Sequence, residues 1–190
     1  MKKILILLFF VLNFGFAKED ILLSSANAFK LVMGENPQTS VLVQKAKAIL
    51  IFPSVKKVGF ILGGMYGEGV ALLKNGYGYN AHKTEISNGS LGLQIGYEDN
   101  YLVVFVMSDK MLDSMRKSEI TLSADATATA INASANIGTL DAFTKEIYVY
   151  VSKSGIFAGL SLGGSVLSID SSVAYDKNSY SYKTLMGYIR

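Results

Sequence analysis

Four lysines, Lys45, Lys47, Lys56 and Lys57, bracket the apolar run AILIF at residues 48–52. Cations beside accessible hydrocarbon suit a phospholipid, whose phosphate is anionic and whose acyl chains are apolar. The bland reading of the same lysines is a solvated strand rim. Phe29 and Met33, on the apolar stripe of a helix just upstream, are the expected apolar partners of such a lipid site. Other chemistry finds little material. The chain has one histidine, His82, and no cysteine, so it offers neither a Cys-His pair nor a zinc-type cluster. A Ser-His-Asp site built on His82 would lack the Gly-x-Ser-x-Gly elbow, and no Gly-x-x-x-x-Gly-Lys loop cradles a phosphate. The inventory points to a protein that is not an enzyme and takes no cofactor and no metal.

The stretch that must position these groups is VGFILGGMYGEGVALL, residues 58–73. As a helix it would carry Gly59, Gly63, Gly64, Gly67 and Gly69 inside, each costing about 1 kcal/mol against alanine. With a period of two, one face holds Phe60, Leu62, Tyr66, Glu68 and Val70, and the other is nearly bare. Such a strand bends and admits a close neighbour, which predicts a curved antiparallel sheet with Phe60, Leu62, Tyr66 and Val70 inward. Gly63, Gly64, Tyr66, Gly67, Glu68 and Gly69 form its structural centre. Glu68, flanked by glycines, reads either as a solvated edge residue or as a buried, hydrogen-bonded carboxylate.

Around this segment the periodicity predicts a helix over 20–35 and a second from the Asn36-Pro37 start to residue 47. A buried strand follows at 48–52 and stops at Pro53. Asn75-Gly76 and Asn88-Gly89 read as hairpin turns, which puts His82 in an exposed stretch. Strands are expected at 90–98, 101–107, 121–133, 147–151 and 156–169, with a helix at 108–117 capped by Ser108 and a polar, tyrosine-rich surface return from Asp170. The fold class is α+β: a curved antiparallel sheet forming a small barrel or sandwich, with the N-terminal helices packed on it.

Residues 1–17, MKKILILLFFVLNFGFA, read as a secretory signal peptide whose apolar run is shorter than a membrane span. The remaining residues, 18–190, are expected to form one domain in the periplasm or envelope. Loss of Lys2 and Lys3 takes the net charge from +3 to near +1, so bulk charge does not point to nucleic acid.

Three runs, AILIFPSVKKVGFILGGMYGEGVALL, GSLGLQIGYEDNYLVVFVM and YVSKSGIFAGLSLGGSVLSID, resemble in order and spacing the SYLF domain, a lipid-binding domain known as an actin regulator in eukaryotic members. The resemblance spans residues 20–182. It implies non-catalytic binding of phospholipid or phosphoinositide-like anionic lipid at a membrane surface, and exported bacterial members are thought to act in the cell envelope. Two other readings compete with it: an envelope structural or protein-interaction module with a protein partner, and a small outer-membrane barrel.

Overall fold

The computed structural model describes residues 17–59, 62–76, 78–91, 96–117, 120–122, 128–131, 145–152 and 164–189. In chain order these form α1 (Ala17–Glu35), a 3-10 turn (Pro37–Thr39), α2 (Ser40–Lys45), β1 (Ala48–Gly59), β2 (Leu62–Asn75), β3 (Gly78–Leu91) and β4 (Gly96–Val106). Next come α3 (Asp109–Lys117), β5 (Ile120–Thr121), β6 (Ala128–Ile131), β7 (Ile147–Val151), β8 (Val166–Ala174) and α4 (Tyr180–Ile189). Residues 1–16, most of the expected signal peptide, lie outside the described part.

The strands make one curled sheet, a half-barrel, in the order β5-β8-β3-β2-β1-β4-β7-β6. The α+β class holds, with one correction: β6 pairs with β7 in parallel, while the other pairs are antiparallel. β1–β2 and β2–β3 are hairpins and so antiparallel, whereas residues 132–146 separate β6 from β7, long enough for a crossover.

β1 does not stop at Pro53. It runs on to Gly59, with its register slipping between Ile51 and Ser54 against β2 and between Phe52 and Val55 against β4. Proline cannot donate to a ladder, and a bulge is where a strand absorbs it. The neighbouring strand must then come close with nothing on its surface. A β-carbon at position 69 would run into the Ile51 carbonyl oxygen and lie 2.8 Å from Phe52 Cδ1; one at position 67 would lie 2.8 Å from Val55 Cγ2 and 3.0 Å from the Ser54 oxygen. The bare face of β2 is therefore the buried one here, which corrects the expected register. Met65, Gly67, Gly69, Ala71 and Leu73 line one covered face, whereas Tyr66 on the other is 49% exposed. Val70 is buried as expected, beneath helices, and the side chains of Phe60 and Leu62 lie outside the described residues.

Two cores result, one on each face of the sheet. Leu22, Ala26, Phe29 and Val32 of α1, with Tyr182, Leu185 and Ile189 of α4, cover Ile49, Ile51, Val70, Leu72, Val103 and Phe105. Leu112 and Met115 of α3 pack with Leu50, Phe52, Ala71, Val104 and Val149 on the other. β1, β4 and β7 are apolar on both sides because both sides are covered. The polar return expected from Asp170 is instead the end of β8 followed by α4. Its buried residues Tyr182, Leu185, Met186 and Ile189 fall at helical spacing, and Ser179 Oγ accepts from Tyr182 N at 3.1 Å as its cap. Asn88-Gly89 is no turn; it lies inside β3, with Gly89 opposite Gly64, and the strands expected at 90–98 and 101–107 are not separate, since residues 96–106 form the single strand β4 and pair with β1 through Asp99 and Asn100. The cap at Ser108, which accepts from Met111 N at 3.1 Å, is as read; Asn36, which accepts from Gln38 N at 3.1 Å, caps a 3-10 turn, and the helix expected from it to residue 47 is the short α2 that ends at Lys45.

The close approach separates the glycines by consequence. Gly69→Ala should cost about 2–3 kcal/mol of stability, because a backbone carbonyl and a core ring must both yield. At Gly64 the nearest atom to an added β-carbon is 3.7 Å away, so Gly64→Ala should stay within about 0.5 kcal/mol. Urea midpoints of the two variants check this; equal losses would mean that the bulge does not demand a bare partner.

Candidate functional site

The four lysines do not converge. Lys45 ends α2 and Lys47 precedes β1, whereas Lys56 and Lys57 stand near its far end, roughly 30 Å along the strand. Lys47 Nζ lies 3.0 Å from Asp109 Oδ2. Phe29 is fully buried under α1, which removes it from any surface site; the sequence stripe marked it as core. Met33 is partly buried against the same core.

Lys56 and Lys57 flank the open half of the sheet. Helix cover ends near the bulge, and beyond it the face of β1, β2, β3 and β4 that continues from Ile51 and Val70 carries Ser54, Glu68, Lys56, Tyr66, Asp99, Lys83 and Glu85. Ser54 Oγ donates to Asp99 Oδ1 at 2.6 Å, and Tyr66 Oη donates to Glu68 Oε1 at 2.9 Å. Lys83 Nζ sits 3.0 Å from Glu68 Oε1 and 2.7 Å from Glu85 Oε1. Burial would raise the Glu68 carboxyl, but the Lys83 ammonium and the Tyr66 hydroxyl outweigh it and hold it below its usual range. Partial burial, the Glu68 hydrogen bond and nearby negative charge push the Tyr66 phenol up to about 12. Of the two readings of Glu68, the structure shows the solvated one, with partners. Lys56 stands across from Asp99 and Lys57 from Glu98 in β4, so the two lysines add no net charge at this end.

A second place offers cations beside hydrocarbon. A cleft of about 510 Å³ lies between the β2–β3 hairpin and α4, lined by Gly78, Tyr79, Lys177, Tyr182, Lys183 and Met186 among others. Tyr182 Oη donates to the Tyr79 carbonyl at 2.7 Å and fixes the helix to the hairpin. Sequence reading missed this cleft because it took the tail for a loop; the helical spacing of 182, 185, 186 and 189 was the available signal.

α1 is anchored at its C-terminal end by Glu35, which accepts hydrogen bonds from Tyr101 Oη and, at 2.8 Å, from Tyr150 Oη. Burial first, then this carboxylate, holds both phenols well above their usual range.

With this geometry in view, the family described as "Ysc84: Las17-binding protein actin regulator" matches residues 87–186. The chain belongs to this family. It is the family of the SYLF domain that the sequence resembles. No curated protein matches the chain. The Ysc84 match begins in β3 and ends in α4, so it takes in Tyr97, Asp99 and half of the cleft lining, and it leaves Lys45, Lys47, Lys56 and Lys57 upstream.

His82 is not on an exposed loop; it sits in β3 between Ala71 and Ala174, with a buried Nδ1 that has no hydrogen-bond partner. Burial, then the Arg116 guanidinium, lower its pKa against the opposing pull of the Val173 and Ser171 carbonyls and Asp170. An unfolded chain takes up a proton on this ring near pH 6.5, while the folded chain resists until lower pH. Its contribution to stability is thus complete above about pH 6.5 and declines as the pH falls through that value. Urea midpoints between pH 7.5 and 5 should drop for the wild type and drop less for His82→Gln; parallel profiles would show that the ring titrates as freely folded as unfolded.

Proposed function

We propose that this protein is a non-catalytic lipid-binding protein of the cell envelope that recognises phospholipid, with preference for anionic head groups. Membership of the Ysc84 family, the family of the SYLF domain, carries the reading. The leader-like sequence at residues 1–17 favours a lipid role in the envelope over the actin regulation named in the family's description. An open sheet covered by helices does not suit an integral outer-membrane barrel, whose strands need one lipid-facing side. The envelope protein-interaction reading differs from the lipid reading in predicting a co-purifying protein and no bound lipid.

Of the four lysines, Lys56 and Lys57 are the pair assigned to head-group contact. As neighbours in a strand they point to opposite faces and so straddle the open end of the sheet. Lys47, paired with Asp109, is a rim charge.

Reversing both lysines turns a balanced set with Asp99 and Glu98 into four negative charges. A lysine near an anionic surface is worth about 1 kcal/mol, so Lys56→Glu/Lys57→Glu should weaken flotation with anionic vesicles by more than about tenfold at low salt and by less at high salt. Neutral vesicles should be affected little. Flotation of wild type and variant at two salt concentrations measures this. Equal flotation of the two proteins on anionic vesicles would release the lysines from the site, and a wild type that floats with no vesicle would end the lipid reading.

A further inference from the structure

We propose that Val58 of β1, Tyr66 of β2 and Tyr97 of β4, on the open face of the sheet beyond the bulge, enter the interface of a lipid bilayer. This rests on the lipid-binding reading and adds to it the orientation of the molecule and the source of its affinity.

Three observations converge on this end. Val58 is 57% exposed and Tyr97 62% exposed, and they lie directly opposite each other on β1 and β4, with Gly64 on the other side of Val58. Tyr66 stands one row along the same face, roughly 7 Å away. At the other end of β1, β2 and β4 the apolar side chains of Ile49, Leu72 and Phe105 are buried. An aliphatic group between two tyrosine rings suits the depth of lipid head groups, where an amphipathic ring meets hydrocarbon and water together.

The charge at this end is balanced, since Lys56 faces Asp99 and Lys57 faces Glu98. Attraction to anionic lipid alone would hold the protein weakly, and apolar area must supply the rest.

The cleft beside α4 is at the opposite end, since Gly78 closes the far end of the β2–β3 pair. Both ends cannot enter one membrane, which makes the orientation testable. The chain has no tryptophan, so a single Tyr97→Trp substitution supplies the only indole, and Tyr180→Trp, at a 75% exposed position at the start of α4, supplies the reference. Each variant is mixed with vesicles of phosphatidylcholine and phosphatidylglycerol, with and without brominated acyl chains. The Tyr97→Trp protein should shift its emission to the blue and lose at least about half of it to bromine, whereas Tyr180→Trp should change little. Val58→Ser/Tyr97→Ser, at surface positions where circular dichroism should be unaltered, removes apolar area without adding charge and should lower vesicle affinity by about tenfold or more at low and high salt alike.

If wild type floats but Tyr97→Trp is not quenched, or Tyr180→Trp is quenched more strongly, the proposal falls while lipid binding stands. If wild type does not float at all, both fall. A lipid-free dimer in sedimentation that Val58→Ser/Tyr97→Ser dissociates would assign the patch to a second copy and overturn the proposal.

Discussion

The approach of β2 to the bulge at Pro53 is the constraint on which the rest of this structure depends. The extra residue shifts the register of β1 against both of its neighbours at once, and β2 can follow only because positions 67 and 69 carry no side chain. The same place divides the sheet by chemistry. Before the bulge, Ile49, Ile51, Val70 and Leu72 are buried beneath α1 and α4; after it, the corresponding positions are Ser54, Lys56, Glu68 and Tyr66. A bulge increases local twist, so a straight helix that packs on one half of the sheet cannot keep contact with the other.

The end of the helix cover is fixed by Glu35. A carboxylate in the last turn of a helix opposes the helix dipole, and it is held here by the hydroxyls of Tyr101 and Tyr150, which come from β4 and β7. Tyr101 follows Asn100, the partner of Val55 just past the bulge, so the anchor and the division of the sheet coincide. Beyond it, Lys83 binds Glu68 and Glu85 and keeps the open face polar up to Tyr66. Exposed pairs of this kind add little stability, which makes their effect one of surface character: they separate the apolar end of the sheet from the covered core by a charged band.

Much of the architecture was legible in the sequence, and its failures have identifiable causes. The Ser108 cap and the glycine-marked strand were read from period and turn chemistry and stand in the structure, whereas the apolar run at 101–107 is the second half of the longer strand β4. Pro53 was read as a stop because a proline breaks a ladder, but a bulge lets the strand continue. Asn88-Gly89 was read as a turn because the dipeptide favours one, but fourteen consecutive partners between β2 and β3 outweigh a local preference. Helix α4 was hidden by its tyrosines and serines, whose composition suggested surface while their spacing was helical. The inward face of β2 was assigned by bulk, and the close approach of a neighbouring backbone reversed it.

The candidate site was less legible for a reason that is general to strands. Sequence places Lys45, Lys47, Lys56 and Lys57 around one apolar run, and adjacency in sequence suggested adjacency in space. A strand of twelve residues separates its ends by roughly 35 Å and sends neighbouring side chains to opposite faces. Lysines at its two ends therefore cannot share a head group, and Lys56 and Lys57 cannot share a face. What the pairing brings together instead comes from distant sequence: Val58 and Tyr97 opposite each other, and Lys56 between Tyr66 and Asp99. No spacing rule within a single strand reveals such a cluster, because it exists only once β4 has found its register against β1. The register is in turn fixed by the bulge and by the buried alternation of Leu50, Phe52, Leu102 and Val104, so the surface that meets a ligand is specified by the core beneath it.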